Sequence, residues 1–327
     1  MNTFDPNKDV LNYVTELIPS LAGRLDLTLT ECSELQSLLE AAYIRESVFQ
    51  PILVQDRSKH AFLSATPESR ALVDFLLDRL LLSLDIEGEE YLRVAFDHFR
   101  AGGHVVIMSN HTGPVDATVV WRALRDLGES DDIPKTCVAG QRVWDSVFLR
   151  MYALYVDLVR VHSKKYLDEA TRKGEFDKLE VMNTQNFAAL RKILSHRSFY
   201  FVFPEGTGDN LSGKLKEGVP SSMAIPMILG GKEHKYKDVL VIPSYLKGPE
   251  TIVPPSDKKR KYGEDDFYEF FNSLTKGRVV CRFGPPLAGS DLGSTQEDGM
   301  YRVMCGIADL ADTEHERGPY AHRRRKK

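Results

Sequence analysis

The sequence predicts an α/β protein: a mixed, largely parallel central sheet flanked by helices. A small N-terminal helical domain (1–75) precedes it, and the α/β domain with a basic C-terminal tail fills 76–327. Two observations carry this. Before residue 75 apolar residues recur at helical spacing, and beyond residue 100 strand-like runs alternate with helical ones. "VLNYVTELIPSLAGRL" and "LTECSELQSLLEAAYIRESVF" read as amphipathic helices, the second starting near Thr30 or Ser33. "ESRALVDFLLDRLLLSL" continues the helical pattern through its leucines to residue 84. The strand-like runs lie at 104–109, 136–139, 156–161, 199–203, 239–245 and 278–283. "GPETIVPPSDKKRKYGEDD" (248–266) reads as a surface loop, and the tail "HRRRKK" as disordered.

The first of these strands ends in an unusual way. Val105-Val106-Ile107-Met108 follows a Gly-Gly break and runs into Ser-Asn-His, and an aspartate stands five residues after the histidine. Pro114 suits the first turn of a helix, and Val115, Val119, Val120, Trp121 and Leu124 then mark its apolar face. His111 and Asp116 would therefore sit where a strand ends and the next helix begins, the place where open α/β sheets bind ligands. A polar loop with a satisfied histidine is the plain alternative.

Composition narrows the class. Hydrophobic residues make up 42% and charged residues 28%, enough for a sizeable buried core. The net charge of −4 gives no sign of a nucleic-acid binder. Cys32, Cys137, Cys281 and Cys305 are scattered, without metal-ligand spacing, and read as buried thiols of a reducing compartment. No apolar run approaches the length of a membrane span, and "MNTFDPNKDV" lacks the layout of a signal or transit peptide. A cytoplasmic location is expected, with a plastid stroma as the alternative.

The GxSxG, GxxxxGK[ST], HExxH and GxGxxG patterns are absent, and no metal site is expected. What remains is a series of turns after strands: "NHTGPVD", "VAGQRVWD" with Arg142, "VRVHSKKYLD" with His162, Lys164 and Lys165, "FYFVFPEGTGDN" with Glu205, Gly206 and Thr207, and "VLVIPSYLKG". Singly, each has a plain explanation as solvated loop charges or a tight glycine turn. In this order they form a much more specific pattern.

That pattern resembles the glycerolipid acyltransferases. "NHTGPVD" fits their HxxxxD block, "FPEG" a later substrate-binding block and "VIPSYLKG" the last one. "AGQRVWD", "VHSKK" and "MNTQNFAALRKIL" look like the soluble, chloroplast-type glycerol-3-phosphate acyltransferases, which have a helical N-terminal domain before an α/β domain. The resemblance implies transfer of a fatty acyl group from acyl carrier protein, or from coenzyme A, to the sn-1 hydroxyl of glycerol 3-phosphate. The carrier is a co-substrate, and no further cofactor is implied. Acyl transfer to a hydroxyl needs a base, and a histidine suits neutral pH. His111 takes that role, with Asp116 fixing its tautomer. Backbone N–H groups around Gly113 or the Gly206 turn are the candidate oxyanion donors. Arg142, His162, Lys164 and Lys165 would bind the phosphate. Glu205 would either bind acceptor hydroxyls or anchor its loop.

The chain departs from the family where arginines follow the "FPEG" block: those places hold Gly208 and Asn210, and Tyr166 stands where a histidine is common. Lys214 and Lys216 could compensate. Otherwise the acceptor lacks a phosphate. A non-catalytic relative that binds acyl carrier protein or lipid, and a peripheral membrane acyltransferase whose basic tail touches anionic lipid, are the remaining readings. "DKKRK" (257–261) and the tail are candidate docking faces for acidic acyl carrier protein.

Overall fold

The computed structural model describes residues 9–55, 62–128, 133–140, 143, 152–161, 194, 197–205, 213–230, 238–253 and 273–325. Its opening helices are α1 (Asp9–Leu25), α2 (Leu29–Gln55) and α3 (Pro67–Leu80). Asp26, in the left-handed region at φ 55°, closes α1. Thr28 then starts α2: its hydroxyl accepts from Glu31 N (3.3 Å), and Glu31 returns a carboxylate oxygen to Thr28 N (2.8 Å). This capping box lies just ahead of the Thr30 and Ser33 starts expected from sequence, because Glu31 three residues on completes it. Leu17, Leu21, Leu35 and Leu39 are fully buried and share one core with α3 and the sheet. The boundary expected near residue 75 falls inside α3.

α3 is capped by Thr66, whose side chain accepts from Ser69 N, and Pro67 opens it. It does not run to residue 84. Helix ends at Leu80, and "LLSLDIE" forms strand β2 (Leu81–Glu87). Leu84 and Ile86 turn inward while Asp85 and Glu87 face out, so period two prevails over the leucine spacing. β1 (Phe62–Leu63) is a two-residue edge piece.

The remaining strands are β3 (His104–Ser109), β4 (Lys135–Gly140), β5 (Asp157–Val161), β6 (Phe199–Val202), β7 (Val239–Lys247), β8 (Gly277–Phe283) and β9 (Leu287–Ala288). Each strand-like run beyond residue 100 matches one of β3 to β8, with 156–161 and 199–203 each one residue longer than the strand. The sheet order is β1-β5-β4-β6-β3-β7-β8-β2, with β9 beside β7. β1–β5, β7–β8 and β7–β9 are antiparallel, and the other pairs are parallel, giving the mixed, largely parallel sheet expected.

Both faces of the sheet are covered, which is why its central strands read as unbroken apolar runs. Along β3, Val105 and Ile107 join the core under α4 (Glu89–Arg100) and α5 (Asp116–Asp126). Val106 and Met108 join the opposite core, under α6 (Ala224–Leu229) and α8 (Gln296–Asp309). Phe201 and Tyr200 of β6, and Ile242 and Val241 of β7, divide the same way. The thiols of Cys137 and Cys281 are buried, whereas Cys32 and Cys305 are half-buried.

Two loop expectations change. The 248–266 segment begins as a packed helical turn, α7 (Pro249–Ile252), with Pro249 and Ile252 buried, and 254–272 lie outside the described residues. Rather than being disordered, the tail backbone from Gly318 to Arg325 forms a 3-10 helix. Gly318 packs against Leu215 backbone, and Tyr320 is buried with its hydroxyl accepting from Gly218 N (3.2 Å). This packing holds the start of the 3-10 stretch against the body.

Gly248, closing "VIPSYLKG", has φ 104°, and a Cβ there would lie 2.1 Å from Arg278 O. Strain and clash act together, so Gly248→Ala is expected to destabilise the fold by roughly 2 kcal/mol or more, read from the denaturant midpoint.

Candidate active site

The chain leaves β3 through α5 to reach β4 on one side, whereas β6 leads on to β7 on the other side of β3. Crossovers that part in this way open a crevice at the carboxyl ends of the strands, where open α/β sheets hold ligands. His111 and Asp116 follow β3, and Glu205 follows β6.

The "NHTGPVD" loop is built around one carboxylate. Asp116 is the first residue of α5 and is fully buried. Its Oδ2 accepts from His111 Nδ1 (2.7 Å), Thr112 N (2.5 Å) and Gly113 N (2.9 Å), and its Oδ1 from Thr112 Oγ1 (2.7 Å). The helix N-terminus adds a favourable field for the negative charge. Pro114 and Val115 lie in the turn ahead of α5, so Pro114 precedes the helix instead of occupying its first turn. An ionised carboxylate only accepts, so the bond to Nδ1 requires that nitrogen to carry the proton. Nε2 is then left with a free lone pair. The His111 side chain keeps 24% of its surface, so the ring sits at the edge of the crevice and outside the core.

One further contact holds the ring and another holds the strand end before it, and neither was assigned from sequence. The Phe203 ring lies against the imidazole, with centroids 4.5 Å apart and planes 21° from parallel. Buried Asn110 replaces backbone in the sheet: its Nδ2 donates to Leu246 O (2.9 Å) and its Oδ1 accepts from Leu246 N (2.7 Å). The side chain thus stitches the end of β3 to β7 while the main chain turns toward His111. Both residues lie within the quoted motifs, "NHTGPVD" and "FPEG", but their roles depend on partners distant in sequence. Beneath the loop, Thr118 Oγ1 bonds Val115 O and the Tyr152 hydroxyl.

Glu205 is 4% exposed, and neither carboxylate oxygen has a hydrogen-bond partner of good geometry among the described residues. Burial pushes its carboxyl up to about 8; the charge and backbone N–H of Lys216 pull it down in part, and Asp116 pushes it up. Glu205 and the His111–Asp116 pair therefore share one electrostatic neighbourhood. Of the two lysines expected to compensate for the missing arginines, Lys216 acts on this carboxyl. Lys214 instead lines an open cavity of about 470 Å³ with Glu314, His315 and Pro319.

One expectation is overturned. Gly113 N–H and Thr112 N–H both donate to Asp116, so neither is available as an oxyanion donor. Arg142, His162, Lys164, Lys165, Gly206 and Thr207 lie outside the described residues, as do Gly208 and Asn210. The described residues contain no cluster of side chains able to hold a metal ion. Among them no helix is long and apolar enough to cross a membrane.

Comparison with known proteins agrees with the motifs. Over 244 residues the chain is 24% identical to the chloroplastic glycerol-3-phosphate acyltransferase of Phaseolus vulgaris, covering 70% of this chain and 48% of that protein. In sequence the chain resembles the chloroplast-type glycerol-3-phosphate acyltransferases. The Arabidopsis thaliana protein of the same name is 23% identical over 172 residues, covering 51% of this chain and 37% of its own. The chain thus spans about half the length, or less, of the curated relatives it matches. No family model matches the sequence. Among solved structures, the 1-acyl-sn-glycerophosphate (LPA) acyltransferase PlsC of Thermotoga maritima superposes with a TM-score of 0.42 at 15% identity, over 90% of each chain.

The raised Glu205 carboxyl makes stability depend on pH. The folded protein keeps a proton that the unfolded chain releases above its ordinary value of 4.5. Stability linked to this group is therefore full below pH 4.5 and is lost as the pH rises to about 8. Glu205→Gln should melt with wild type at low pH and roughly 2–6 °C above it at high pH, by differential scanning calorimetry across that range.

Proposed function

We propose that the protein transfers a fatty acyl group from a thioester, on acyl carrier protein or coenzyme A, to the sn-1 hydroxyl of glycerol 3-phosphate, forming lysophosphatidate. The single observation behind this reading is the His111 Nδ1–H···Asp116 pair, which leaves Nε2 free to act as a base. The similarity to chloroplast-type glycerol-3-phosphate acyltransferases supplies the substrate class.

In this reading the acceptor hydroxyl gives its proton to His111 Nε2 as its oxygen attacks the thioester carbonyl. Asp116 stabilises the imidazolium that forms. The tetrahedral intermediate collapses, the C–S bond breaks, and the departing thiolate recovers the proton from Nε2. No covalent enzyme intermediate is needed, since the acceptor itself is the nucleophile. With Gly113 and Thr112 occupied, the oxyanion donors fall to the Gly206 turn. Arg142, His162, Lys164 and Lys165 are the proposed phosphate ligands. Glu205, mostly protonated at neutral pH, would offer the acceptor a donor O–H without adding negative charge beside a phosphate.

A second acceptor class has its own support. Gly208 and Asn210 stand where the family carries arginines, which favours an acceptor without phosphate. Each lost charge-assisted bond is worth about 1.5–3 kcal/mol.

The test is transfer from a long-chain acyl carrier protein, and from acyl coenzyme A, to radiolabelled glycerol 3-phosphate. Wild type should form lysophosphatidate, and His111→Ala should lose about 100-fold or more in kcat. If wild type acylates glycerol or another polyol and leaves glycerol 3-phosphate untouched, the second acceptor class is the correct one.

A further inference from the structure

Phe203 has no part in the scheme above, yet its ring makes a face contact with His111. The register explains its position: Met108 of β3 pairs with Val202 of β6, so the residues that follow, His111 on one strand end and Phe203 on the other, are carried out of the sheet side by side. The 21° tilt and 4.5 Å separation describe a stack, in which the imidazole meets the π face of the phenyl ring. A neutral imidazole gains mainly dispersion from this contact. An imidazolium gains more, because the negative face of the phenyl quadrupole attracts a cation. The contact therefore strengthens as the base takes a proton, and such an interaction lowers a barrier without tightening the ground state.

We propose that Phe203 is a positioning residue for the transfer step: its ring fixes the plane of the His111 imidazole and favours the imidazolium formed when the acceptor hydroxyl gives up its proton. Two constraints then define the ring. The bond from Nδ1 to Asp116 Oδ2 sets its edge, and Phe203 sets its face. Among the described residues, the charged and titratable groups of this neighbourhood are Asp116 at the start of α5 and Glu205 beyond β6, with Lys216 acting on Glu205. Phe203 adds stabilisation of the cation with no charge of its own, so it does not compete with Asp116 for the ring nitrogens.

The proposal rests on His111 being the base, but its main test needs no substrate. The His111 ring signals of the full chain, assigned by their loss in His111→Ala, are followed by NMR as a function of pH in wild type, Phe203→Leu, Phe203→Met and Phe203→Tyr. Removing the aromatic face should lower the His111 midpoint by about 0.4–1.5 pH units in the Leu and Met variants, and Tyr should restore it. The Met variant keeps the test open if Leu fails to fold. In the transfer assay, kcat of Phe203→Leu should fall by about 2–30-fold with KM little changed, and the acid limb of its pH profile should move to lower pH. A purely structural role would leave the titration where it is in wild type, and coincident midpoints in wild type, Leu and Met would overturn the proposal. Failure of wild type to transfer acyl groups, alongside a shifted midpoint, would count against the acyltransferase reading and leave the Phe203 contact standing.

Discussion

The Asp116 carboxylate is fully buried, and most of the site's geometry follows from satisfying it. An ionised carboxylate without partners in such a place would be costly, so the loop before it must bring donors. Four arrive: a ring N–H, two backbone N–H groups and a hydroxyl. Their convergence sets the path of the 111–116 turn and decides which nitrogen of His111 carries the proton. It also closes one option, because backbone donors engaged with Asp116 cannot serve a developing oxyanion. In the proposed mechanism the base and the oxyanion donors therefore belong to different loops.

The sheet supplies the platform for this arrangement. β3 is flanked by parallel neighbours on both sides, and both faces of the sheet are packed, so the end of the strand has little freedom. Asn110 extends the pairing one step beyond the last backbone bond and holds β3 to β7 where the chain begins to diverge. At the carboxyl end of β7, Lys247 pairs with Asp312 and Glu316, and Leu215 N bonds Glu316 O. Segments from the middle and the end of the sequence thus close around the same strand ends.

Much of this was legible in the sequence, for identifiable reasons. β3, β6 and β7 are buried on both faces, so they appear as continuous apolar runs. The His111–Asp116 spacing is local, and a local pattern can be read directly. β2 was not legible, because its leucines continue the α3 pattern and only pairing with β8 makes them a strand. The cap at Thr28 was misplaced by two residues or more, since several hydroxyl residues compete there and only Glu31 selects among them. Phe203 and Asn110 act through contacts across strands, and Glu205 through burial. No spacing rule reports either kind of information.

Glu205 leaves the fold unfinished in one respect. Among the described residues no group offers this buried carboxyl a hydrogen bond of good geometry, and an unmet bond of that kind costs stability. A ligand that offers it a polar partner removes the deficit as it binds, so occupancy and folding stability become linked quantities. A polar group supplied to Glu205 would then raise the melting temperature as its concentration rises, so thermal stability would report occupancy of this corner of the crevice.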